Sequence, residues 1–266
     1  MSVGAAFAQC RAEGRAALIG YLPAGFPDVE GSIAALRTMV SAGCDVIEIG
    51  LPYSDPVMDG PTIQAAAQQA LDGGVRTRDV LRTVEAVAAT GTPTLVMTYW
   101  NPVERYGVDR FAADLASAGG AGLITPDITP DFAPEWIAAA DAHELDKVFL
   151  VAPSSTDERI AMTTAACRGF VYATAVMGVT GARATSSDLA GPLVARTRAL
   201  SPADLPIGVG LGVSTRAQAA EVAEYADGVI VGSAFVRTLL DRGADDGLAA
   251  LGSLTEQLSR GVRHDA

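Results

Sequence analysis

"LPIGVGLGVSTRAQAAEVAEYADGVIVGS", residues 205–233, contains the structural unit that repeats along the whole chain. Its two ends, 205–210 and 227–233, are short apolar runs of the kind that form buried strands. Between them, residues 214–226 carry apolar side chains at helical spacing. A strand, a helix and a second strand in this order predict two parallel strands joined by a helical crossover.

The same alternation extends over the rest of the chain and predicts an α/β fold. Strands are predicted at 16–25, 44–50, 92–100, 121–127, 147–153, 169–175, 205–210 and 227–233, and helical spacing follows each of them. Eight such units in 266 residues predict a single-domain (β/α)8 TIM barrel over residues 1–266. An extra N-terminal helix (1–14) and a short helix inserted after strand 2 (61–71) complete the prediction. The alternative is an open doubly wound sheet.

Composition excludes several classes of function. The chain carries 19 basic and 31 acidic residues, a net charge of −12, which argues against nucleic acid and anionic membrane surfaces as partners. No apolar run approaches the ~20 residues of a membrane span. The three cysteines form no C-x-x-C pair, which suggests reduced thiols in a cytoplasmic protein. No cluster of His, Cys and Asp has the spacing of a metal site.

Glu48 stands in the middle of an apolar strand, "CDVIEIG" (44–50). Because side chains alternate along a strand, Val46, Glu48 and Gly50 share one face, which is either the barrel lumen or the helix layer. A buried carboxylate is costly unless it is paired or neutralised, and burial raises its pKa toward the range useful for proton transfer. Glu48 is therefore a candidate catalytic acid, with an ion pair to a buried Arg or Lys as the structural alternative.

Two more acids, Asp55 and Asp59, lie in the long connection after that strand (51–76). In a barrel the loops that follow strands build the active-site face, and two carboxylates in different environments can divide acid and base roles. Ser-Asp-Pro and Asp-Gly are also common turn sequences, so both residues could simply form turns.

Glycine-rich turns follow three later strands: "GVTGAR" (178–183), "GVGLGVST" (208–215) and "IVGSAF" (230–235). Glycine lets backbone N–H groups approach phosphate oxygens, and helix N-termini favour the negative charge. These turns predict a phosphate site, with ordinary tight turns as the alternative. Aromatic residues near strand ends (Tyr21, Tyr99, Trp100 and Tyr172) could stack on a flat ring or could only pack in the core.

Several motifs resemble those of the tryptophan synthase alpha subunit, and the likeness runs over nearly the whole chain. The most specific are "IEIGLPYSDPVMDGPTIQ" (47–64) and "GVTGAR" (178–183); others are "YLPAGFPD" (21–28), "NPVERYG" (101–107), "ITPD" (124–127) and "VGSAFV" (231–236). The resemblance implies a lyase that cleaves indole-3-glycerol phosphate into indole and glyceraldehyde 3-phosphate by acid/base retro-aldol chemistry.

The resemblance also implies roles for individual residues. Glu48 matches the acid/base residue that protonates C3 of indole and handles the glycerol hydroxyl proton. Asp59 matches the carboxylate that meets the indole N–H, and Tyr172 matches an active-site tyrosine. The residues implied in substrate and phosphate binding are Tyr21, Thr180, Gly181, Gly210, Gly212, Gly232 and Ser233. Thr180 and Gly181 belong to a predicted lid, 176–187.

The family's alpha subunit works with a beta subunit, which implies an α2β2 complex. Pyridoxal phosphate is expected only in that partner, with no cofactor or metal in this chain. The docking surface is expected to include residues 52–60 and the segment around Asp127, Ile128 and Pro130.

Two departures from the family pattern and two alternative functions remain. Val176 and Met177 replace frequent polar residues, and Tyr21 replaces a frequent Phe.

One alternative function is a weakly active or non-catalytic barrel that mainly activates its partner. The other is a different phosphate-binding barrel enzyme, which should carry a catalytic lysine or a different carboxylate layout. The single lysine, Lys147, is expected at the end of its strand away from the mouth.

Overall fold

A computed structural model of the chain describes residues 2–174, 187–242 and 244–264. Within them, nine parallel strands form one sheet at the centre of the molecule. The strands are β1 (Ala17–Pro23), β2 (Val46–Gly50), β3 (Thr94–Met97), β4 (Gly122–Ile124), β5 (Asp146–Val148), β6 (Leu150–Val151), β7 (Val171–Thr174), β8 (Ile207–Gly210) and β9 (Gly228–Val231).

The sheet closes into a barrel because its two edge strands are consecutive in the chain. The strand order is β5-β4-β3-β2-β1-β9-β8-β7-β6, and only Phe149 separates β5 from β6. At Phe149 the chain changes partners: Val148 pairs with Ile124 of β4, whereas Leu150 pairs with Tyr172 of β7. Counted as one strand, β5 and β6 complete eight, so the predicted (β/α)8 barrel is confirmed and the open sheet is wrong.

Helices surround this barrel. In the described residues they are α1 (Val3–Ala12), α2 (Val29–Ser41), α3 (Pro61–Asp72), α4 (Thr77–Ala88), α5 (Trp100–Tyr106), α6 (Val108–Ser117), α7 (Pro134–Ala142), α8 (Asp157–Ala166), α9 (Ser187–Leu200), α10 (Arg216–Ala223), α11 (Ser233–Arg242) and α12 (Ala244–Val262). A 3₁₀ turn, Pro130–Phe132, precedes α7. The predicted N-terminal helix and the helix inserted after strand 2 are confirmed as α1 and α3.

One helix, α5, was not expected from the sequence, which predicted a strand as far as Trp100. In the structure β3 ends at Met97 and Trp100 begins the helix. The Trp100 N–H donates to both oxygens of the Asp127 carboxylate, at 3.0 and 3.1 Å. An acceptor at the first turn of a helix satisfies an otherwise unpaired donor. Here the acceptor comes from the loop after β4, so no local pattern could reveal it.

The barrel strands separate two cores. Ile47 and Ile49 of β2 face outward into the core beneath the helices, whereas Val46 faces the lumen. α1 closes the N-terminal end of the lumen, where Phe7 packs against Phe170, the residue before β7, with ring centroids 5.5 Å apart. Because side chains alternate along a strand, Glu48 projects into the lumen together with Val46.

Candidate active site

A cavity opens at the C-terminal ends of the strands, directly above the lumen core. It brings together most of the residues that the sequence singled out. Its lining is Tyr21, Glu48, Asp59, Ile63, Met97, Tyr172, Thr174, Gly210, Leu211, Gly212, Ile230, Gly232 and Ser233. These residues come from six strands, the loops that follow them and the first turns of two helices, which is how a TIM barrel usually assembles an active site.

Glu48 is the most deeply buried acid of the cavity, with 1% of its surface exposed. Neither carboxyl oxygen has a hydrogen-bond partner among the described residues, so the alternative of a structural ion pair receives no support there. Desolvation raises the pKa of Glu48 from 4.5 to about 8. The side chain is therefore a neutral carboxylic acid at pH 7, able to give a proton to a bound molecule.

Asp59 reaches the same cavity from the loop between β2 and α3. The loop is fixed by two hydrogen bonds: the Met58 N–H donates to the Tyr99 hydroxyl at 3.0 Å, and the Gln64 amide donates to the Asp59 carbonyl at 2.8 Å. Burial raises the pKa of Asp59, and a hydrogen bond from the Tyr99 side chain opposes part of that rise. Asp59 is less buried than Glu48, so the two carboxyl groups occupy different environments.

The other acid of this loop, Asp55, takes no part in the cavity. It is exposed, and its carboxylate accepts a hydrogen bond from the Ser54 hydroxyl at 2.6 Å. The turn interpretation therefore fits Asp55, whereas Asp59 lines the site.

Two tyrosines cross the mouth of the barrel by lying over glycines of neighbouring strands. A Cβ atom added at Gly210 of β8 would lie 2.4 Å from the Tyr172 hydroxyl, and one added at Gly50 of β2 would lie 2.2 Å from the Tyr21 hydroxyl. Both phenols need this space to enter the cavity. Desolvation raises the pKa of both tyrosines, and nearby carboxyl groups raise it further, so both hydroxyls remain proton donors at neutral pH.

The turns after β8 and β9 form another part of the cavity wall. Gly212 has a φ of +81°, a backbone conformation that favours glycine. Gly232 lies between β9 and α11, and Ser233 begins α11, a helix of 10 residues. Exposed N–H groups and the dipole at a helix N-terminus form a ready site for an anion. The geometry of these turns is suited to a phosphate group.

Some predicted site residues lie elsewhere. Thr180 and Gly181, with Val176, Met177 and the rest of the 176–186 segment, lie outside the described residues. Tyr99 is buried behind Asp59 and does not line the cavity, and Trp100 belongs to α5. Among the predicted aromatic residues, Tyr21 and Tyr172 are therefore the two that line the cavity in the described part of the chain.

The sequence interpretation missed the apolar wall of the cavity. Its members are Ile63, Met97, Leu211 and Ile230, and the hydroxyl-bearing Thr174 lies beside them. Met97 ends β3 and Ile230 lies in β9, so their inward orientation could have been found from strand alternation at the C-terminal ends. Ile63 comes from the first turn of α3, which the sequence could not place. An apolar wall beside a few polar groups is typical of a site for a small flat molecule.

The described residues contain no group of three or more His, Cys, Asp or Glu side chains that could hold a metal ion. A search of the same residues finds no helix with the length and apolar character that crossing a membrane requires.

Comparisons with known proteins indicate the family of the chain. The family model described as "Tryptophan synthase alpha chain" matches residues 7–261. The tryptophan synthase alpha chain of Acidothermus cellulolyticus is 64% identical over 98% of this chain and 97% of its own length. That of Salinispora arenicola is also 64% identical, over 99% of this chain and 98% of its own length.

Solved structures show the same relationship. A chain of Mycobacterium tuberculosis tryptophan synthase superposes with a TM-score of 0.92 at 59% identity, covering 98% of both chains. Tryptophan synthase subunit alpha from Legionella pneumophila superposes with a TM-score of 0.90 at 31% identity, covering 99% of both chains. The similarity therefore extends over nearly the full length in sequence and in fold.

Proposed function

The chain belongs to the tryptophan synthase alpha chain family, and we propose that it performs the family's reaction with Glu48, Asp59 and Tyr172. That reaction is the cleavage of indole-3-glycerol phosphate into indole and glyceraldehyde 3-phosphate, which makes the chain a lyase subunit of tryptophan biosynthesis. The observation that carries the assignment of residues is the neutral, unpaired carboxyl group of Glu48 inside the cavity.

The proton count of the reaction fits a single carboxyl group. Glu48 donates its proton to C3 of the indole ring, and the ring becomes an indolenine cation that keeps its N–H. The resulting carboxylate then takes the proton of the glycerol hydroxyl next to the ring. The C–C bond breaks, its electron pair restores the C2–C3 double bond, and the hydroxyl carbon becomes the aldehyde. One proton enters and one leaves, so Glu48 ends the cycle protonated, as it began.

Asp59 and Tyr172 complete the indole end of the site. The positive charge on the ring nitrogen grows when C3 is protonated, and a carboxylate beside the N–H stabilises that charge. Asp59 is the acid suited to this role, because its less buried position and the Tyr99 hydrogen bond favour ionisation. Tyr172, which stays protonated, contributes a hydrogen-bond donor between the carboxyl groups and the turn after β8.

The phosphate end is assigned to backbone groups of Gly210, Gly212, Gly232 and Ser233. The N-terminus of α11 and the turn at Gly212 line the cavity after β9 and β8, and β1 separates β9 from the strand that precedes the Asp59 loop. Thr180 and Gly181 are retained as proposed contacts from the segment outside the described residues. A substrate with an apolar ring, a short polar chain and a phosphate matches the order of apolar wall, carboxyl groups and glycine turns.

The alternative of a weakly active subunit that mainly activates its partner is less well supported. Such a chain would have no need of a neutral buried acid and a second carboxylate in one cavity. The proton-transfer groups described above therefore favour a working enzyme.

The substitution Asp59→Asn tests this proposal. We expect about a 10²-fold lower rate of indole release, since the amide cannot stabilise positive charge on the ring nitrogen. Steady-state release of indole from indole-3-glycerol phosphate, with and without the beta subunit, provides the measurement. Asp55→Asn is the matched control in the assay without the beta subunit, because it is the same change on the same loop at a residue outside the cavity. Equal rates for both variants and the natural chain would remove Asp59 from the mechanism.

Members of this family pair with a beta subunit, and we propose that the rim of the cavity is the docking surface in an α2β2 complex. The predicted surface, residues 52–60 and the segment from Asp127 to Pro130, lies on that rim. Two large apolar side chains are exposed there or directly beside it: Val57 is 69% exposed and Phe132 is 72% exposed. Exposed apolar groups surrounded by polar residues are typical of protein interfaces.

Replacing both exposed side chains, Val57→Asp with Phe132→Asp, is expected to weaken binding of the beta subunit by at least about 10-fold, because burying a charge in an apolar contact is costly. Calorimetry or size-exclusion chromatography with purified beta subunit measures the change. The matched control is Leu189→Asp, an exposed apolar residue of α9 outside the proposed surface. Unchanged affinity in the double variant would place the interface elsewhere.

Pyridoxal phosphate is assigned to the beta subunit and not to this chain. A pyridoxal enzyme holds its cofactor through a lysine Schiff base. Lys147 is the only lysine of the sequence. It lies on β5, at the N-terminal end of the barrel as predicted, and its ammonium group is bound to the Asp141 carboxylate of α7.

A cytoplasmic location is proposed from the three cysteines, all of which are free thiols.

A further inference from the structure

Tyr21 spans the cavity from its phosphate side to its carboxyl side. It is paired with Glu48 in the register between β1 and β2, and its side chain lies on the lumen face of β1. At the base of the ring, Cδ1 lies 3.3 Å from the position of a Cβ atom added at Gly232. At the other end, the hydroxyl lies 2.2 Å from the Cβ position of Gly50. The phenol therefore runs across the barrel mouth to the end of β2.

The hydroxyl consequently lies where the chain leaves β2 and begins the loop that carries Asp59. Gly50 makes this position possible, because any side chain there would overlap the phenol. A phenylalanine ring could fill the same space, so packing alone does not account for the hydroxyl. The polar atom must be explained by a polar neighbour.

The neighbours of the hydroxyl are acidic. Burial is the main cause that raises the pKa of Tyr21, followed by the charge of Asp59 and then that of Glu48. The Tyr21 hydroxyl therefore stays protonated, and Asp59 is the carboxyl group whose charge acts on it more strongly. Since Glu48 is neutral at pH 7, Asp59 is also the carboxyl group that has more to gain from a hydrogen-bond donor.

Resting on the roles proposed above for Glu48 and Asp59, we propose that Tyr21 is a positioning residue whose hydroxyl donates a hydrogen bond to the Asp59 carboxylate when the indole site is filled. A bound indole ring removes water from the half-buried carboxylate, which then needs donors from the protein. Tyr99 supplies one donor from behind the loop. Tyr21 supplies a second from inside the cavity, which keeps Asp59 ionised and directed at the ring nitrogen.

The substitution Tyr21→Phe isolates the hydroxyl, because the ring that fills the cavity is retained. A hydrogen bond to a charged group favours its ionised form, so removing it raises the pKa of that group. We expect kcat/KM for indole-3-glycerol phosphate to fall about 10-fold at neutral pH. We also expect the low-pH limb of the kcat profile, which reports pKa values in the enzyme–substrate complex, to move to higher pH by about one unit. A residue that only fills space would leave the position of that limb unchanged.

A double-mutant cycle with Asp59→Asn tests whether Tyr21 acts through Asp59. If it does, Tyr21→Phe lowers kcat/KM in the natural background but by less than about 2-fold in the Asp59→Asn background. A full effect of Tyr21→Phe in both backgrounds, as a direct substrate contact would give, overturns the proposal. An unshifted pH limb also overturns it.

The matched control is Tyr106→Phe. Tyr106 also donates its hydroxyl to an aspartate, with 2.6 Å between the hydroxyl and Asp114 Oδ2, but it lies on α5, away from the cavity. Its removal is expected to leave kcat/KM unchanged within 2-fold. Failure of the present inference can be told from failure of the proposed function. If Asp59→Asn alone is fully active, the proposed function fails. If Asp59→Asn is impaired but Tyr21→Phe shifts nothing, only the inference about Tyr21 fails.

Discussion

The Glu48→Gln variant is expected to release indole about 10³-fold more slowly than the natural chain, the largest effect of any single substitution considered. The amide occupies nearly the same space as the carboxyl group but can neither give a proton to C3 nor take one from the glycerol hydroxyl. Both proton transfers of the proposed cycle are lost together. Single-turnover and steady-state assays of indole release, with the full chain alone and with the beta subunit, measure the change.

The same substitution, which lowers activity, is expected to raise the stability of the chain relative to the natural protein at high pH. The folded chain raises the pKa of Glu48 from 4.5 to about 8, so between these values the folded chain holds a proton that the unfolded chain has lost. The free energy of unfolding of the natural chain therefore falls as the pH rises through this window. The variant has no titratable group at this position, so its free energy of unfolding does not fall for this reason. Relative to the natural chain, it should gain on the order of 4 kcal/mol between pH 5 and pH 9.

These two measurements together separate catalysis from folding. Urea unfolding at pH 5 and pH 9 gives the stabilities, and the kcat/KM profile of the natural chain should decline above about pH 8, where the acid form of Glu48 is lost. Glu85→Gln, the same change at an exposed position of α4, is the matched control. A Glu48→Gln variant with full activity, or one with no altered pH dependence of unfolding, would contradict the role and the environment assigned to this residue.

The second large effect is expected from Gly210→Ala, which should lower kcat/KM by about 10² or more. The added methyl group would lie 2.4 Å from the Tyr172 hydroxyl and 2.9 Å from its ring, well inside van der Waals contact. The phenol must therefore move away from β8, or the turn after β8, which is proposed to bind the phosphate, must move. A displacement of about 1 Å in an active site can reduce the rate by roughly 10²-fold.

Gly191→Ala provides the control for this substitution. A Cβ atom at Gly191 of α9 would meet no atom within 4 Å, and alanine in a helix is favoured over glycine by up to about 1 kcal/mol. This control should keep full activity and equal or higher stability. Binding of glycerol 3-phosphate, measured by calorimetry, then shows which part of the site is affected by Gly210→Ala. Natural kcat/KM in that variant would mean that the space above Gly210 is not needed for catalysis.

Much of the fold was predictable because each element carries its own periodic pattern. The eight strand regions and the inserted helix α3 are apparent from apolar runs and helical spacing. Glu48 could be identified because side chains alternate between the two faces of β2. Both faces of a barrel strand are buried, so the carboxyl group had to be buried on one of them. The choice between lumen and helix layer, however, depends on how the barrel is packed. Only the structure shows that Val46 belongs to the lumen core.

What the sequence did not reveal depends on contacts between distant parts of the chain. The start of α5 depends on Asp127, which lies 27 residues away, and the break at Phe149 reflects a change of neighbouring strands. Asp55 and Asp59 look alike in the sequence, since both lie in turn motifs. In the structure Asp55 is exposed and Asp59 lines the cavity. This difference depends on Tyr99, which follows β3 and fixes the loop through its hydrogen bond with Met58.

The apolar wall shows the same limit at the level of the site. Met97 and Ile230 have no chemical signature of function, and Ile63 belongs to a helix that the sequence could not orient. Polar residues with known chemistry are found by their type, whereas apolar residues that shape a cavity are found only by position.

The helix that closes the N-terminal end of the lumen has a consequence for how substrate enters and product leaves. Val3, Ala6, Phe7 and Cys10 of α1 fill that end as part of the lumen core, with Phe7 packed on Phe170. Indole is small and apolar enough to diffuse through a loosely packed barrel, but this route is blocked from below. In the part of the chain that the structure describes, substrate and product therefore use the opening at the C-terminal ends of the strands. Whatever covers that opening therefore decides whether indole is delivered onward or lost to the surrounding water.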